Sequence, residues 1–342
     1  MRRRVRVVAA AFAAATAVFV AALIAGCHSG PTVREIFESL PVKQVEFYNF
    51  DPASPLADRI VDAPAELLDL YEEAEGGVRP LVYTPNDEER QQIVDALEML
   101  PVRHQEVIRE RLVAVYCIDR FAGTGMADIV LGPDDEFYAL LILHKRVFTD
   151  SATDLLEYRE SSAFSDTSDE ICLEIDLPEW VSLLRYITLH EVSHIVDYVD
   201  QYTPYVEPAS LALAGRSERD TTFTDEVWSD YRTLRPEIGL EVQPQLSYYG
   251  LGGEPDIPDT EMASVFTRLA DTPLASLYAS FSWAEDFAEY VTFSYLVRTL
   301  GADYSIRVVD HGETVAELHP MDSPLVAERV RFLDERLFAR PD

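Results

Sequence analysis

Basic side chains are scarce in this sequence of 342 residues. It has 28 lysines and arginines against 61 aspartates and glutamates, which gives a formal net charge of -33 at pH 7. Such an acidic surface repels phosphate backbones, so we do not expect a nucleic-acid partner. One explanation of the acidic excess is solubility or adaptation to a high salt concentration. The alternative explanation is attraction of basic peptides. The apolar fraction of 48 % is that of a globular protein.

Cysteine is also rare, with three residues in the whole chain. Cys117 and Cys172 lie in apolar, strand-like contexts, so a disulfide and a pair of buried thiols remain equally open. Neither has a second cysteine two to four residues away, the spacing that is typical of zinc-ligand pairs.

The first 26 residues have the layout of a secretory signal. Four arginines precede an apolar run over residues 7–25 that ends in small residues. A retained membrane helix is the alternative, because the run is long enough to span a bilayer. The run ends in Leu-Ile-Ala-Gly-Cys27, which resembles the lipobox of bacterial lipoproteins. This resemblance implies acylation of Cys27 and a lipid-anchored, extracytoplasmic protein of the bacterial cell envelope.

A metal-binding pattern lies in a predicted helix over residues 179–200, which Pro178 opens. It reads His190-Glu191-Val192-Ser193-His194, the pattern H-E-x-x-H. Both imidazoles share one helix face, and Glu191 is rotated by about 100° on the same side. The helix is apolar almost all round and should be buried, where these polar groups need a partner such as zinc. A histidine pair satisfied by core hydrogen bonds is the alternative.

A third ligand is needed, because catalytic zinc usually has three protein ligands and a position for water. In metzincins a glycine occupies the position of Asp197, and the third zinc ligand occupies the position of Asp200. Without the glycine the helix has no reason to turn there, so Asp200 is the weaker candidate. Glu285 and Glu289 lie four residues apart on a predicted helix over residues 283–300. Glu285 would bind zinc and Glu289 would accept the second N–H of a ligand histidine, unless both belong to a solvated acidic face.

The H-E-x-x-H helix and the downstream run Glu-Asp-Phe-Ala-Glu together resemble the gluzincin metallopeptidases, in particular the catalytic domain of anthrax lethal factor and its bacterial relatives. In that family the first glutamate of this run is the third zinc ligand, and a tyrosine seven residues before it assists catalysis. One departure is the long stretch between His194 and Glu285, which contains a Gly-rich loop and implies an insertion. The matching positions are His190, Glu191, His194, Tyr278, Glu285 and Glu289.

The resemblance implies a zincin-like α+β fold with a small sheet, an active-site helix and a downstream Glu-ligand helix. Residues 1–26 are predicted to be the signal peptide, residues 27–85 a tether and a region of uncertain fold, and residues 86–342 the metallopeptidase domain. Helices are predicted over residues 86–100 and 104–115, around 225–233 and over 323–338. Strands are predicted over residues 137–143 and 171–175, and the second is the candidate edge for an extended substrate.

The predicted function is a zinc metalloendopeptidase that hydrolyses peptide or protein substrates. Zinc activates a water, Glu191 is the general base, and Tyr278 helps to stabilise the oxyanion. Two alternatives remain open. One is a zinc-binding envelope lipoprotein without turnover, and the other is a zinc hydrolase of cell-wall peptides.

Overall fold

Helices and small sheets alternate along the chain in the computed structural model, which confirms the predicted α+β class. The structure describes residues 32–133, 136–165, 167–168, 170–204, 223–249, 253–333 and 337–338. Within these residues, no helix has the length and hydropathy needed to cross a bilayer. Cys27 and the predicted signal peptide lie outside the described residues.

The helices and strands are numbered in chain order. The helices are α1 (Val33–Ser39), α2 (Ala65–Ala74), α3 (Asp87–Glu98), α4 (Val102–Arg111), α5 (Ala152–Ser161), α6 (Leu183–Asp200), α7 (Met262–Leu269), α8 (Trp283–Ser294) and α9 (Pro324–Leu333). The strands are β1 (Leu81–Val82), β2 (Leu112–Asp119), β3 (Gly125–Leu131), β4 (Phe137–His144), β5 (Phe164–Ser165), β6 (Ile171–Asp176), β7 (Trp228–Asp230), β8 (Thr233–Leu234), β9 (Ile257–Pro258), β10 (Ser305–Asp310) and β11 (Glu313–Leu318).

Three apolar runs form most of a four-stranded sheet with the order β1-β2-β4-β3. Strands β2 and β4 are parallel, and the other neighbours are antiparallel. Most side chains of β2, β3 and β4 are buried, because both faces of the sheet are covered. Strand β4 confirms the prediction over residues 137–143. The helix predicted over residues 104–115 ends at Arg111 instead, because residues 112–115 pair with β4.

The N-terminal region, residues 32–85, covers one face of this sheet. Val42, Leu67 and Tyr71 pack with alternate residues of β2 and β4 in a shared apolar cluster. A buried ion pair adds to this contact, since Nζ of Lys43 lies 2.6 Å from Oδ2 of Asp128 on β3. The region of uncertain fold is therefore packed against the sheet.

The opposite face of the sheet packs against α6, whose other neighbours include α3, α4 and α8. Asn86 caps α3 through a capping box with Glu89, which confirms the predicted start of that helix. Helix α6 begins at Leu183 rather than residue 179, because Ser182 caps it and residues 178–181 form a turn. The buried position of α6 brings the H-E-x-x-H motif into the interior of the molecule.

A second sheet is antiparallel and has the order β11-β10-β6. Strand β6 confirms the strand predicted over residues 171–175. The helix predicted around residues 225–233 is wrong, because these residues form turns and the short pair β7–β8. Helix α8 begins as predicted, and residues 295–299 continue it as a π-helical turn. The predicted helix over residues 323–338 corresponds to α9, although residues 334–336 lie outside the described part.

Cys117 and Cys172 do not form the disulfide that the sequence left open. Cys117 is buried on β2 in the first sheet, whereas Cys172 is exposed on β6 in the second. The alternative of two buried thiols therefore holds for Cys117 and fails for Cys172.

Candidate metal centre

Helix α6 presents its two histidines to the interior one helical turn apart. The exposed fractions of His190 and His194 are 4 % and 7 %, and that of Glu191 is 5 %. The i, i+4 spacing places both imidazoles on one face, as the motif predicts. Their ring centroids lie 5.0 Å apart, with the rings nearly perpendicular.

Helix α8 supplies the third candidate ligand from its first turn. The hydroxyl of Ser282 caps this helix by accepting a hydrogen bond from the backbone N–H of Glu285. Oε2 of Glu285 lies 3.2 Å from Nε2 of His190 and 3.7 Å from Nε2 of His194. Ligand atoms of these three residues all lie within 4.8 Å of one another. A single metal ion can therefore contact all three.

The polar atoms that face this point fit a metal ion. Nε2 of His194 and Oε2 of Glu285 are buried and have no hydrogen-bond partner among the described residues. Buried polar atoms without a partner cost free energy, and a cation would satisfy both. Two imidazole nitrogens and one carboxylate oxygen are a donor set that zinc accepts, with a fourth position left for water.

The alternative ligand Asp200, and Asp197 at the metzincin glycine position, have other partners. Both carboxylate oxygens of Asp200 accept hydrogen bonds from Arg103, at 2.6 and 2.8 Å. Asp197 accepts from the backbone N–H and the hydroxyl of Thr203, just beyond the end of α6. Among the described residues, the carboxylate that lies with the two histidines in a group able to hold a metal ion is therefore that of Glu285, not an aspartate of α6.

Negative charge exceeds positive charge around this point. Two buried glutamates, at positions 160 and 289, contact the buried guanidinium of Arg159. Two more, at positions 191 and 285, are buried beside the histidines. When all four are ionised and the histidines are neutral, the cluster carries three uncompensated negative charges. Buried charges need compensation, so a divalent cation at this point would reduce the imbalance.

The histidine and glutamate pKa values respond to this environment. Burial disfavours the imidazolium, but the contacts with Glu285 and Glu289 outweigh burial and raise the pKa of His190 to about 10. Burial also opposes ionisation of Glu285, yet the neighbouring histidines hold its pKa well below the usual range. The site is therefore built to bind positive charge.

Glu191 lies between α6 and the edge strand β3. Its Oε2 accepts a hydrogen bond from the backbone N–H of Ala127 at 3.0 Å. Burial raises the pKa of Glu191, and the two histidines partly offset this rise. A carboxyl with a raised pKa beside a metal position suits general acid–base chemistry near neutral pH.

Glu289 approaches the far side of the His190 ring. Its Oε1 lies 3.0 Å from Nδ1 of His190, although the angle departs from that of a good hydrogen bond. Ser276 donates to Oε2 of Glu289 at 2.7 Å, and the hydroxyl of Tyr186 donates to Oε1. Glu289 therefore lies close to the His190 ring, as the sequence predicts, and its hydrogen bond with Nδ1 stays a prediction.

Tyr278 lies in a 3-10 turn, Tyr278–Phe281, directly before α8. It is buried, and its ring stacks on Phe281 with centroids 5.8 Å apart. Burial raises the pKa of Tyr278 well above its ordinary value, and the charge of Glu285 adds to the rise. The hydroxyl is therefore protonated at neutral pH and able to donate a hydrogen bond.

Sequence reasoning did not identify two features of the site. Arg159 and Glu160 on α5 are buried beside Glu289 and Tyr278. Their signal in the sequence is weak, because an Arg-Glu pair on a helix is usually an exposed pair. The second feature is the close approach of Gly125 on β3 to the side chains of α6. A Cβ atom there would lie 2.4 Å from Cγ2 of Ile187 and 2.9 Å from Cγ of Glu191.

Strand β6, the predicted substrate edge, lies at an edge of the second sheet, and its role in substrate binding stays a prediction. Strand β6 pairs with β10 in the second sheet, whereas β3 is the strand that hydrogen-bonds Glu191. Spacing along the chain suggested β6 because it directly precedes α6. Strand β3 lies at an edge of the first sheet and packs on α6, so the structure adds a second candidate edge.

Comparisons with protein-family models, with curated proteins and with solved structures find no match for this chain. The interpretation of the site therefore depends on its own geometry and chemistry.

Proposed function

We propose that this protein is a zinc-dependent metalloendopeptidase of the gluzincin type, with a zincin-like fold. The observation that carries the proposal is the convergence of His190, His194 and Glu285 on one buried point, with Glu191 beside it. A structural zinc site usually has four protein ligands, whereas three ligands leave a position for water. A carboxylate next to that position suits hydrolysis.

Zinc at this point would supply Lewis-acid chemistry, lowering the pKa of a water and polarising the substrate carbonyl. Glu191 takes the proton of the attacking water and delivers it to the leaving amine. The Ala127 N–H orients the carboxylate of Glu191 before substrate arrives. Tyr278 donates its hydroxyl proton in a hydrogen bond to the developing oxyanion.

The substrate is proposed to be an extended peptide that adds a strand to β3. Strand β3 is an edge strand, and among the described residues its outer edge carries one bridge, between Gln44 and Leu131. Backbone groups of an edge strand are available for pairing with a peptide. A peptide on this edge would lie beside Glu191, which is where the scissile carbonyl has to be.

Metal analysis tests the site. We expect residues 28–342 to bind about one zinc per chain, and we expect His190→Ala and Glu285→Ala to lose it. Asp200→Ala is the matched control, because it removes a carboxylate of α6 that binds Arg103 instead. Zinc retained by Glu285→Ala, or absent from the wild type after zinc is supplied, contradicts the proposed site.

Turnover is tested with Glu191→Gln, which keeps the size of the side chain and removes the base. We expect this variant to bind zinc as the wild type does and to lose about 100-fold or more in kcat on a peptide library. Cell-wall peptides assayed in parallel identify the substrate class. Equal biological activity of Glu191→Gln and wild type would favour a zinc-binding lipoprotein without turnover.

We also propose that Cys27 is acylated and anchors the protein at the outside of a bacterial membrane. The support is the sequence that precedes Cys27. Expression with a fatty-acid alkyne should label the wild type and leave Cys27→Ser unlabelled. Labelling of both proteins would contradict this assignment.

A further inference from the structure

Arg159 connects the metal centre to α5. Its side chain is buried, and its guanidinium donates to both carboxylate oxygens of Glu289, at 3.0 and 2.6 Å. Nη1 also donates to the hydroxyl of Tyr186 at 2.7 Å. Charge-assisted bidentate pairs are both strong and directional. Arg159 therefore holds the carboxylate that approaches the ring of His190.

The same guanidinium also contacts Glu160 and the ring of Tyr278. Arg159 donates to Oε1 of Glu160 from Nη2 at 3.1 Å. Oε2 of Glu160 in turn accepts the backbone N–H groups of Leu277 and Tyr278, at 2.9 and 3.2 Å. The guanidinium carbon lies 4.3 Å from the centroid of the Tyr278 ring, within the range of a cation–π contact.

We infer that Arg159 is a positioning residue that fixes two groups at once, the imidazole of His190 through Glu289 and the ring of Tyr278 through Glu160 and direct stacking. The inference deepens the proposed function and rests on it for the role of Tyr278. The effect on His190 concerns metal binding and holds whatever substrate the site takes.

The planar fork of arginine is essential to this arrangement. All three nitrogens of Arg159 donate hydrogen bonds, to acceptors on Glu160, Glu289 and Tyr186. A lysine ammonium is a compact charge with three donors and cannot bridge two carboxylates in one plane. Lysine at this position would supply the charge without the geometry.

A purely structural ion pair between α5 and α8 is the competing explanation, and the chain offers a matched control for it. Arg329 makes the same kind of contact with Asp286, at 3.1 and 2.7 Å, on the same helix as Glu285. Removing Arg329 leaves the buried carboxylate of Asp286 without its guanidinium partner, as removing Arg159 does for Glu289. Among the described residues, Arg329 on α9 hydrogen-bonds neither His190 nor Tyr278, and its guanidinium carbon lies 4.0 Å from the ring centroid of Phe223 instead.

The first test measures zinc affinity by competition with a chromophoric chelator for wild type, Arg159→Lys, Arg159→Met and Arg329→Met. We expect both Arg159 variants to bind zinc about 10- to 100-fold more weakly, the usual effect of removing support from a ligand histidine. Arg329→Met should bind zinc as the wild type does while losing stability in urea. Wild-type zinc affinity in Arg159→Lys would overturn the inference. Arg159→Lys keeps the buried charge, so it serves even if Arg159→Met fails to fold.

The second test is a double-mutant cycle on kcat with Tyr278→Phe. If Arg159 positions Tyr278, Arg159→Lys should reduce kcat several-fold less in the Tyr278→Phe background than in the wild type. The same cycle with Arg329→Met should be additive. Additivity for Arg159→Lys would remove Tyr278 from the inference. A wild type that binds zinc but cleaves no peptide would refute the proposed function, and the affinity test would still decide the role of Arg159 toward His190.

Discussion

Replacement of Gly125 by alanine should uncouple catalysis from metal binding. Gly125 opens β3 where this strand crosses α6. A Cβ atom at this position would lie 2.4 Å from Cγ2 of Ile187, 2.9 Å from Cγ of Glu191 and 3.0 Å from its Oε1. No zinc ligand is among these nearest atoms. The added methyl group therefore presses first on Ile187 and on Glu191, the proposed general base. It does not press first on the candidate ligands His190, His194 and Glu285.

The size of the effect follows from these distances. Ordinary van der Waals contact begins at 3.4 Å, so the strand and the helix must separate by about 1 Å at Ile187. Overpacking of this kind costs about 1–3 kcal/mol of stability. A displacement approaching 1 Å at a catalytic group costs up to about 100-fold in rate. We therefore expect kcat to fall about 10- to 100-fold in Gly125→Ala, with zinc content unchanged.

The assay compares kcat, zinc content and urea stability in wild type, Gly125→Ala and Gly132→Ala. Gly132 follows the other end of β3, and a Cβ there would lie 2.5 Å from Cε2 of Tyr138. The methyl group added in Gly132→Ala would thus produce a similar steric clash, but away from Glu191. This variant should therefore retain the wild-type kcat. Wild-type kcat in Gly125→Ala would refute the reasoning, and so would equal losses of kcat in both variants.

Three further predictions concern metal, pH and the tyrosine. Chelation should lower the unfolding free energy by about 4 kcal/mol relative to protein with free zinc at 1,000 times Kd; identical melting curves would contradict binding to the folded state. His104 is buried, and burial lowers its pKa to about 3. Below pH 6.5 the imidazole of His104 is therefore protonated in the unfolded state and neutral in the folded state, and the free energy of unfolding decreases as the pH decreases. Between pH 6.5 and pH 5 the wild type should lose about 2 kcal/mol more than His104→Asn in urea titrations; parallel losses would contradict this. Tyr278→Phe should retain zinc and lose about 100-fold in kcat, and an unchanged kcat would make Tyr278 a packing residue.

Local patterns were sufficient where neighbours along the chain determine the outcome. The i, i+4 spacing predicts that His190 and His194 share a helix face, because helical geometry alone decides it. The cap residue Asn86 marks the start of α3 for the same reason. Glu285 and Glu289 were placed on one helix by their spacing. The apolar residues around His190 and His194 also predict that their helix is buried.

Local patterns failed where strand pairing decides the conformation. Residues 112–115 carry a helical pattern with the preceding segment, yet they form β2 because β4 offers a parallel partner. Local patterns likewise do not show which strand borders Glu191. Order along the chain places β6 next to α6, whereas packing places β3 there.

The sequence by itself determined the candidate ligands, the candidate general base and the α+β class, since these depend on residue type and on spacing within single elements. Tertiary structure alone decided which carboxylate lies with the two histidines, which strand borders Glu191, and that Arg159 joins Glu289 to the turn of Tyr278. These features join residues from separate elements, and Arg159 and Glu289 lie 130 positions apart. Contacts over such separations arise from packing of the whole core, which periodicity within one element does not encode.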